Sequence, residues 1–248
     1  MHPILFKIGS FTIYTYGVFV FLGVLAGYFV CSRYAKKLGV EDKVFSNIFF
    51  WTIVSSFLGA KVLYLLLDIR YFIKDPLSFL RSGFVFYGGI IGGALALFLL
   101  ARKYNIRLAK LGDIFCLGIP LGHAFGRIGC FFYGCCYGKP SDCAFCVLFP
   151  PDSPAGMLGV KLIPTQLISA FFLVVIFLVL RLISKRKKFE GQIFTSYFVI
   201  YGIFRFIIEF FRGDPRGMFF SLSTSQIISI FLVAAGIIFF WRLKKLKV

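Results

Sequence analysis

Charged side chains are scarce in this chain. They make up 15% of 248 residues, and only ten are Asp or Glu against 28 Lys and Arg. Soluble domains carry about 25% charged residues, so a soluble globular fold is excluded. Alternating runs of about ten residues are missing too, which excludes a membrane β-barrel. The net charge of +18 comes with no basic amphipathic helix and no nucleic-acid motif, so no nucleic-acid partner is expected. No internal repeat stands out, which gives an inverted-repeat transporter no support. The N-terminal segment lacks a basic start, and no small-residue cleavage site follows its first apolar run. That run is therefore expected to stay as a membrane helix.

What is present is apolar: 59% hydrophobic and 20% aromatic residues. The apolar runs are ~17–24 residues long, enough to cross ~30 Å of hydrocarbon. The pattern predicts an all-α, polytopic helical membrane protein of about seven transmembrane helices. The expected spans are Ile13–Cys31, Val44–Leu67, Phe84–Leu100, Leu111–Gly126, Thr165–Leu182, Ile193–Phe211 and Ser225–Trp241. No hydrophilic domain interrupts them, so residues 1–248 read as a single integral-membrane domain. A Cys-, Pro- and Gly-rich connection at about residues 127–164 reads as loops or short interfacial segments.

Lys and Arg set the orientation. One set of connections holds Arg33, Lys36, Lys37 and Lys43, then Arg102, Lys103, Arg107 and Lys110. It continues with Arg181, Lys185, Arg186, Lys187 and Lys188, and the tail residues Arg242, Lys244, Lys245 and Lys247. The alternate set is poorer: Lys7; Arg70, Lys74 and Arg81; Lys139 and Lys161; Arg212 and Arg216. The richer set is expected in the cytoplasm, with the N-terminus outside and the C-terminus inside.

Placed by depth on that frame, the unusual polar residues gather toward the outer leaflet. Arg127 lies in Gly126-Arg127-Ile128-Gly129 at the outer end of span four. An arginine in or near hydrocarbon marks a functional site by default. Span six carries Tyr201, Arg205, Glu209 and Arg212 at spacings of four, four and three, which predicts one helical face. An acid between two arginines offsets part of the burial penalty and leaves net positive charge for an anion. Tyr14 and Tyr16, Lys61, Tyr87 with the glycines from Gly88, Pro164-Thr165-Gln166 and Ser225-Gln226 fall at the same depth. The stripe Gly118, Gly122, Gly126 reads as close helix packing, and His123 as a core histidine one turn before Arg127. Asp113 reads as structural, near the N-terminus of its own helix.

Seven cysteines divide into two groups. Cys31 and Cys116 read as small apolar residues. Cys130, Cys135, Cys136, Cys143 and Cys146 lie in or beside the outer connection, where disulfides are favoured over unpaired thiols, and a metal site least. The first three lack a second regular Cys-x-x-Cys, so no metal is expected, and no cofactor either.

Several blocks occur in order. They are His2-Pro3-Ile4-Leu5-Phe6, Ile13-Tyr14-Thr15-Tyr16-Gly17, Gly59-Ala60-Lys61, the Gly-Gly pairs from Gly88, and Gly126-Arg127-Ile128-Gly129. Pro164-Thr165-Gln166-Leu167 and Arg205-Phe206-x-x-Glu209-x-x-Arg212 complete the series. Together they resemble bacterial prolipoprotein diacylglyceryl transferases over nearly the whole chain. The resemblance implies a transferase that moves a diacylglyceryl group from phosphatidylglycerol to the lipobox cysteine thiol of a preprolipoprotein. The reaction forms a thioether and releases glycerol phosphate at the outer face of the bacterial inner membrane. The implied partners are phosphatidylglycerol, preprolipoprotein signal peptides and the lipid bilayer.

An arginine fork suits an anionic head group and a leaving phosphate. The expected catalytic residues are Arg127, Arg212, Tyr87 and Glu209. The expected substrate contacts are Arg127, Arg205, Tyr16, Gln226 and Lys61. Five positions in three places depart from the family pattern: Tyr87 stands where many members have His, Cys130 begins a run where many have Asn, and Ile163, Ile168 and Ser169 flank Pro164-Thr165-Gln166 differently. The general base remains open among Tyr87, Glu209 and His123. The alternative reading is a non-catalytic homologue that binds anionic lipid or lipoprotein.

Overall fold

Among the described residues, seven helices of 18–26 residues are long and apolar enough to cross a membrane. At 1.5 Å per residue the shortest spans about 27 Å. The computed structural model describes residues 3–9, 11–76, 83–215, 217–219 and 221–246. His2, Arg81, Arg216 and Lys247, all used in the sequence reading, lie outside the described residues. The chain forms two compact units, Met1–Cys31 with Gly112–Val248, and Ser32–Leu111.

The larger unit opens with an antiparallel hairpin, β1 (Ile4–Ile8) and β2 (Phe11–Tyr14), pairing Ile4 with Tyr14 and Ile8 with Phe11. The first membrane helix, α1 (Thr15–Lys37), follows directly. Tyr14, expected inside the first span, therefore closes a strand instead. In the smaller unit α2 (Asp42–Leu67) leads into the short α3 (Ile69–Lys74) and then α4 (Phe86–Lys103). The remaining membrane helices are α5 (Leu108–Tyr133), α6 (Thr165–Lys185), α7 (Gln192–Ile208) and α8 (Thr224–Leu246).

Two expectations change. The fourth span does not stop at Gly126: α5 continues to Tyr133, so Arg127 lies within a helix and the loop begins at Gly134. Glycine is tolerated inside a membrane helix, where leaving backbone groups unpaired is costlier than glycine's entropy. Pro120 is accommodated in the same helix. Second, Arg212 is not on the helical face of Tyr201, Arg205 and Glu209. Helix α7 ends at Ile208, a single 3-10 turn covers Glu209–Phe211, and Arg212 is extended at φ −74°, ψ 140°.

Glycines bring helix backbones together, as small residues do where hydrocarbon gives helices no hydrophobic drive to associate. In the larger unit a Cβ on Gly23 would sit 2.6 Å from the Gly122 carbonyl, and one on Gly118 2.9 Å from that of Gly27, so α1 packs on α5 through two glycine pairs. In the smaller unit Gly59 and Gly88 do the same for α2 and α4. Large apolar side chains such as Phe21, Leu58, Phe171 and Phe231 stay at least 60% exposed. That is expected of surfaces that face lipid rather than water.

Asp113 is fully buried and joins α5 to the start of α7. Its carboxylate accepts hydrogen bonds from the backbone N–H groups of Gly191 (2.7 Å) and Phe194 (2.9 Å) and from Lys187 Nζ (3.0 Å). The acid thus caps a neighbouring helix rather than its own.

Candidate functional site

Helix α5 delivers Arg127 in its last two turns. Its Nε–H donates to His123 Nε2 over 3.2 Å, one turn earlier on the same face. A Cβ added at Gly126 meets nothing within 4 Å, unlike Gly122 one turn before it. Open space therefore adjoins the arginine. No carboxylate pairs with Arg127 among the described residues.

The other two arginines are held by acids. Arg205 Nη1 lies 2.7 Å from Glu209 Oε2, and Arg205 Nη2 donates to Ser225 Oγ over 2.9 Å, tying α7 to α8. Arg212 is buried, 6% exposed, and makes a two-pronged contact with Asp214: Nε to Oδ1 and Nη2 to Oδ2, both 2.8 Å. Backbone bonds from Lys139 N to Phe211 O (2.9 Å) and Gly213 N to Tyr137 O (3.1 Å) bracket Arg212. The loop after α5 thus fixes where this arginine stands. Sequence reading gave Glu209 to both arginines and missed Asp214, whose Arg-x-Asp spacing was the available signal.

The end of α5 is a Schellman motif. Gly134 is left-handed at φ 77°, Cys135 N–H bonds the Cys130 carbonyl (3.2 Å) and Gly134 N–H bonds the Phe131 carbonyl (3.2 Å). That motif brings its fourth-from-last and following side chains into contact, here Cys130 and Cys135. Cys136, itself at φ 64°, turns back to join them. The three sulfurs lie within 4.8 Å of one another and all three residues are partly buried. Cys143 and Cys146 form a disulfide farther along the loop.

The trio and the arginines belong together. Cys136 hydrogen-bonds Arg212. His123 lies within electrostatic reach of Arg127, Arg205 and Cys136, and Tyr16 within reach of Arg127 and all three cysteines. Hydrogen bonds from Cys130 and Cys135, helped by the Arg212 charge, hold the Cys136 thiol below its ordinary pKa against its burial. Hydrogen bonds with Cys130 and Cys136, together with burial, push Cys135 up. Burial opposes the charge on Arg212, but Asp214 and Cys136 more than offset it and hold its pKa above the usual value.

Gln166, fully buried at the start of α6, donates from Nε2 to the Cys135 carbonyl over 2.7 Å, while its buried Oε1 has no partner among the described residues. Thr165 Oγ1 donates to the Cys136 carbonyl over 2.9 Å. Gln226 forms a capping box with Ser223: Ser223 N–H to Gln226 Oε1 (2.9 Å) and Gln226 N–H to Ser223 Oγ (3.2 Å). Its oxygen is therefore engaged in starting α8. Tyr87 and Lys61 lie in the smaller unit. There Tyr87 is exposed beside Phe86, and Lys61 Nζ donates to the Gly83 carbonyl over 3.3 Å and lies 5.0 Å from the Phe84 ring.

The family model described as prolipoprotein diacylglyceryl transferase matches residues 3–242. The chain belongs to the prolipoprotein diacylglyceryl transferase family. It is 40% identical over 242 residues to a phosphatidylglycerol–prolipoprotein diacylglyceryl transferase of Clostridium tetani, covering 97% of each chain. It is 39% identical over 251 residues to a second protein of that name in Clostridium perfringens, covering 100% of this chain and 97% of the relative. A Finegoldia magna protein of the same name is 32% identical over 249 residues, covering 99% and 97%. The site thus holds a guanidinium that no carboxylate pairs among the described residues, two further arginines held by acids, and three thiols.

Proposed function

We propose that this chain transfers the diacylglyceryl group of phosphatidylglycerol to the lipobox cysteine of a prolipoprotein, with its site toward the outer leaflet of the inner membrane. Arg127 carries the reading. Its charge has no carboxylate partner among the described residues, and the Gly126 side of the helix is open. Both suit the phosphate of a lipid head group.

In the proposed reaction the cysteine sulfur attacks the glyceryl carbon that bears the phosphate. A C–S bond forms, the C–O bond breaks, and its electron pair leaves on the phosphate oxygen as glycerol phosphate. Charge grows on that oxygen, and fixed guanidinium groups in a water-poor site stabilise it. Arg127 grips the phosphate, with Arg212 beside it. Arg205 and Glu209 hold the head-group side through their ion pair and through Ser225. The unpaired Gln166 Oε1 suits a donor from the peptide or the glycerol head. Tyr16 suits a contact at the mouth. Tyr87, Lys61 and the Gln226 amide nitrogen remain in the proposal on sequence alone. The inner-membrane orientation rests on the Lys and Arg distribution.

The test is mass spectrometry of a lipobox peptide incubated with the purified protein and phosphatidylglycerol. A gain of one diacylglyceryl group on the cysteine, lost in Arg127→Ala with the fold intact, is the expected result. Lipid retained without thioether product would favour the non-catalytic reading instead.

A further inference from the structure

The general base is the part of the reaction the arginines leave unassigned. His123 Nε2 accepts from Arg127, and one oxygen of Glu209 is paired with Arg205. What lies beside the arginines is the cluster Cys130, Cys135 and Cys136.

Three features set this cluster apart from incidental thiols. The sulfurs converge within 4.8 Å from a helix end and the turn that follows it. Their backbone is held from outside the cluster, since Gln166 and Thr165 donate to the carbonyls of Cys135 and Cys136. Such anchoring of ligand-bearing residues is what a preorganised metal site requires. Finally, Arg212, held by Asp214, also reaches Cys136, which puts a fixed guanidinium beside the thiols. Three thiols cannot pair off as disulfides without a remainder.

Three thiolates select a soft or borderline ion such as Zn²⁺ or Cu⁺. Zinc prefers four ligands, and catalytic zinc keeps one position for substrate. All three cysteines are partly exposed, which leaves room for a fourth ligand.

We propose that Cys130, Cys135 and Cys136 bind Zn²⁺, and that the fourth position takes the thiol of the prolipoprotein cysteine, holding it as the thiolate that attacks the lipid. The second half of this proposal rests on the transferase reading above. Three protein thiols release their protons to solvent as the ion binds. The substrate thiol releases a fourth on ligation, since a coordinated thiol is deprotonated outright. The bound sulfur then uses a lone pair to form the C–S bond, while the C–O pair departs with the phosphate. Zinc stays divalent, and nothing is oxidised or reduced. Because a free thiol is only a few per cent ionised at pH 7, full ionisation raises the thiolate concentration about 30-fold.

The experiment uses the full-length protein in detergent. Metal analysis is expected to find one Zn²⁺ per chain after reconstitution. Replacement by Co²⁺ is expected to give a thiolate-to-cobalt charge-transfer band. A lipobox peptide should shift that band, and its Cys→Ser counterpart should not. C130S, C135S and C136S should each lose the band. Because these variants can also lose the fold, wild-type protein stripped with a chelator is the second measurement. Its transfer rate should drop about 30-fold and return with Zn²⁺ but not with Mg²⁺. Full transfer by stripped protein, or a disulfide among the three cysteines in active protein, overturns the metal site and leaves the transferase reading standing. A band that the peptide does not shift overturns the substrate-ligand step. A shifted band without thioether product under any condition overturns the transferase reading, and the activation step with it.

Discussion

Arg127 donates to His123 Nε2 over 3.2 Å, one turn apart on α5. The bond takes up a lone pair that a general base would need and fixes the direction of the guanidinium. His123 is therefore expected to position Arg127 rather than to act as the base. His123→Gln, whose amide oxygen can still accept, should keep most of the transfer rate. His123→Leu should raise the KM for lipid by about tenfold, the loss of roughly one charge-assisted hydrogen bond. A Gln variant as inactive as Leu would instead make the imidazole a base.

Arg127 itself should be far less tolerant. Removing one donor aimed at developing charge costs about 10²–10³ in kcat, and Arg127→Ala should fall in that range in a peptide-lipidation assay. Arg127→Lys keeps the charge but loses the fork, so it should recover only part of the rate.

Asp113, near the opposite end of α5 from Arg127, should serve stability alone. Its carboxylate accepts two backbone N–H groups and Lys187 in full burial. Asp113→Leu leaves that ammonium and those amides unpaired, so it should lower stability by about 3–5 kcal/mol. Thermal unfolding in detergent reads this directly, and whatever protein remains folded should still bind phosphatidylglycerol.

The thiols should differ in reactivity once any metal is removed. A depressed pKa means that the ionised form persists to lower pH than in a free cysteine. Cys136 should therefore be the first of the trio to be alkylated near neutral pH, and Cys135, shifted upward, the last. Site-resolved mass spectrometry of a short iodoacetamide pulse gives the order, and a Cys135-first result would contradict it.

The membrane helices were readable from length and apolarity, because hydrocarbon leaves the backbone few alternatives to a helix. Their ends were not. Gly126 and Gly129 look like a break in the fourth span, yet α5 runs through both to Tyr133. The hairpin before α1 hides in an apolar segment whose strand pairing no helical periodicity reveals. Arg212 looks like the next face residue after Glu209, but the helix has ended by then. Its partner Asp214 and the convergence of Cys130 with Cys135 depend on turn geometry. The second had a local signature, Gly134 just ahead of Cys135 with Cys130 one turn earlier.

The backbone bonds that flank Arg212 carry a consequence for how this chain can vary in length. Gly138 is bridged to Arg212 itself, and Lys139 to Phe211. An added residue between Tyr137 and Pro140 would slip the pairing by one and disturb the bonds that hold the backbone at Arg212, whereas one added at the exposed stretch Met157–Val160 would leave them in place. The loop is thus a ruler with one graduated end: lengths can drift among related chains at its tip, while the few residues that measure out the arginine must keep their count.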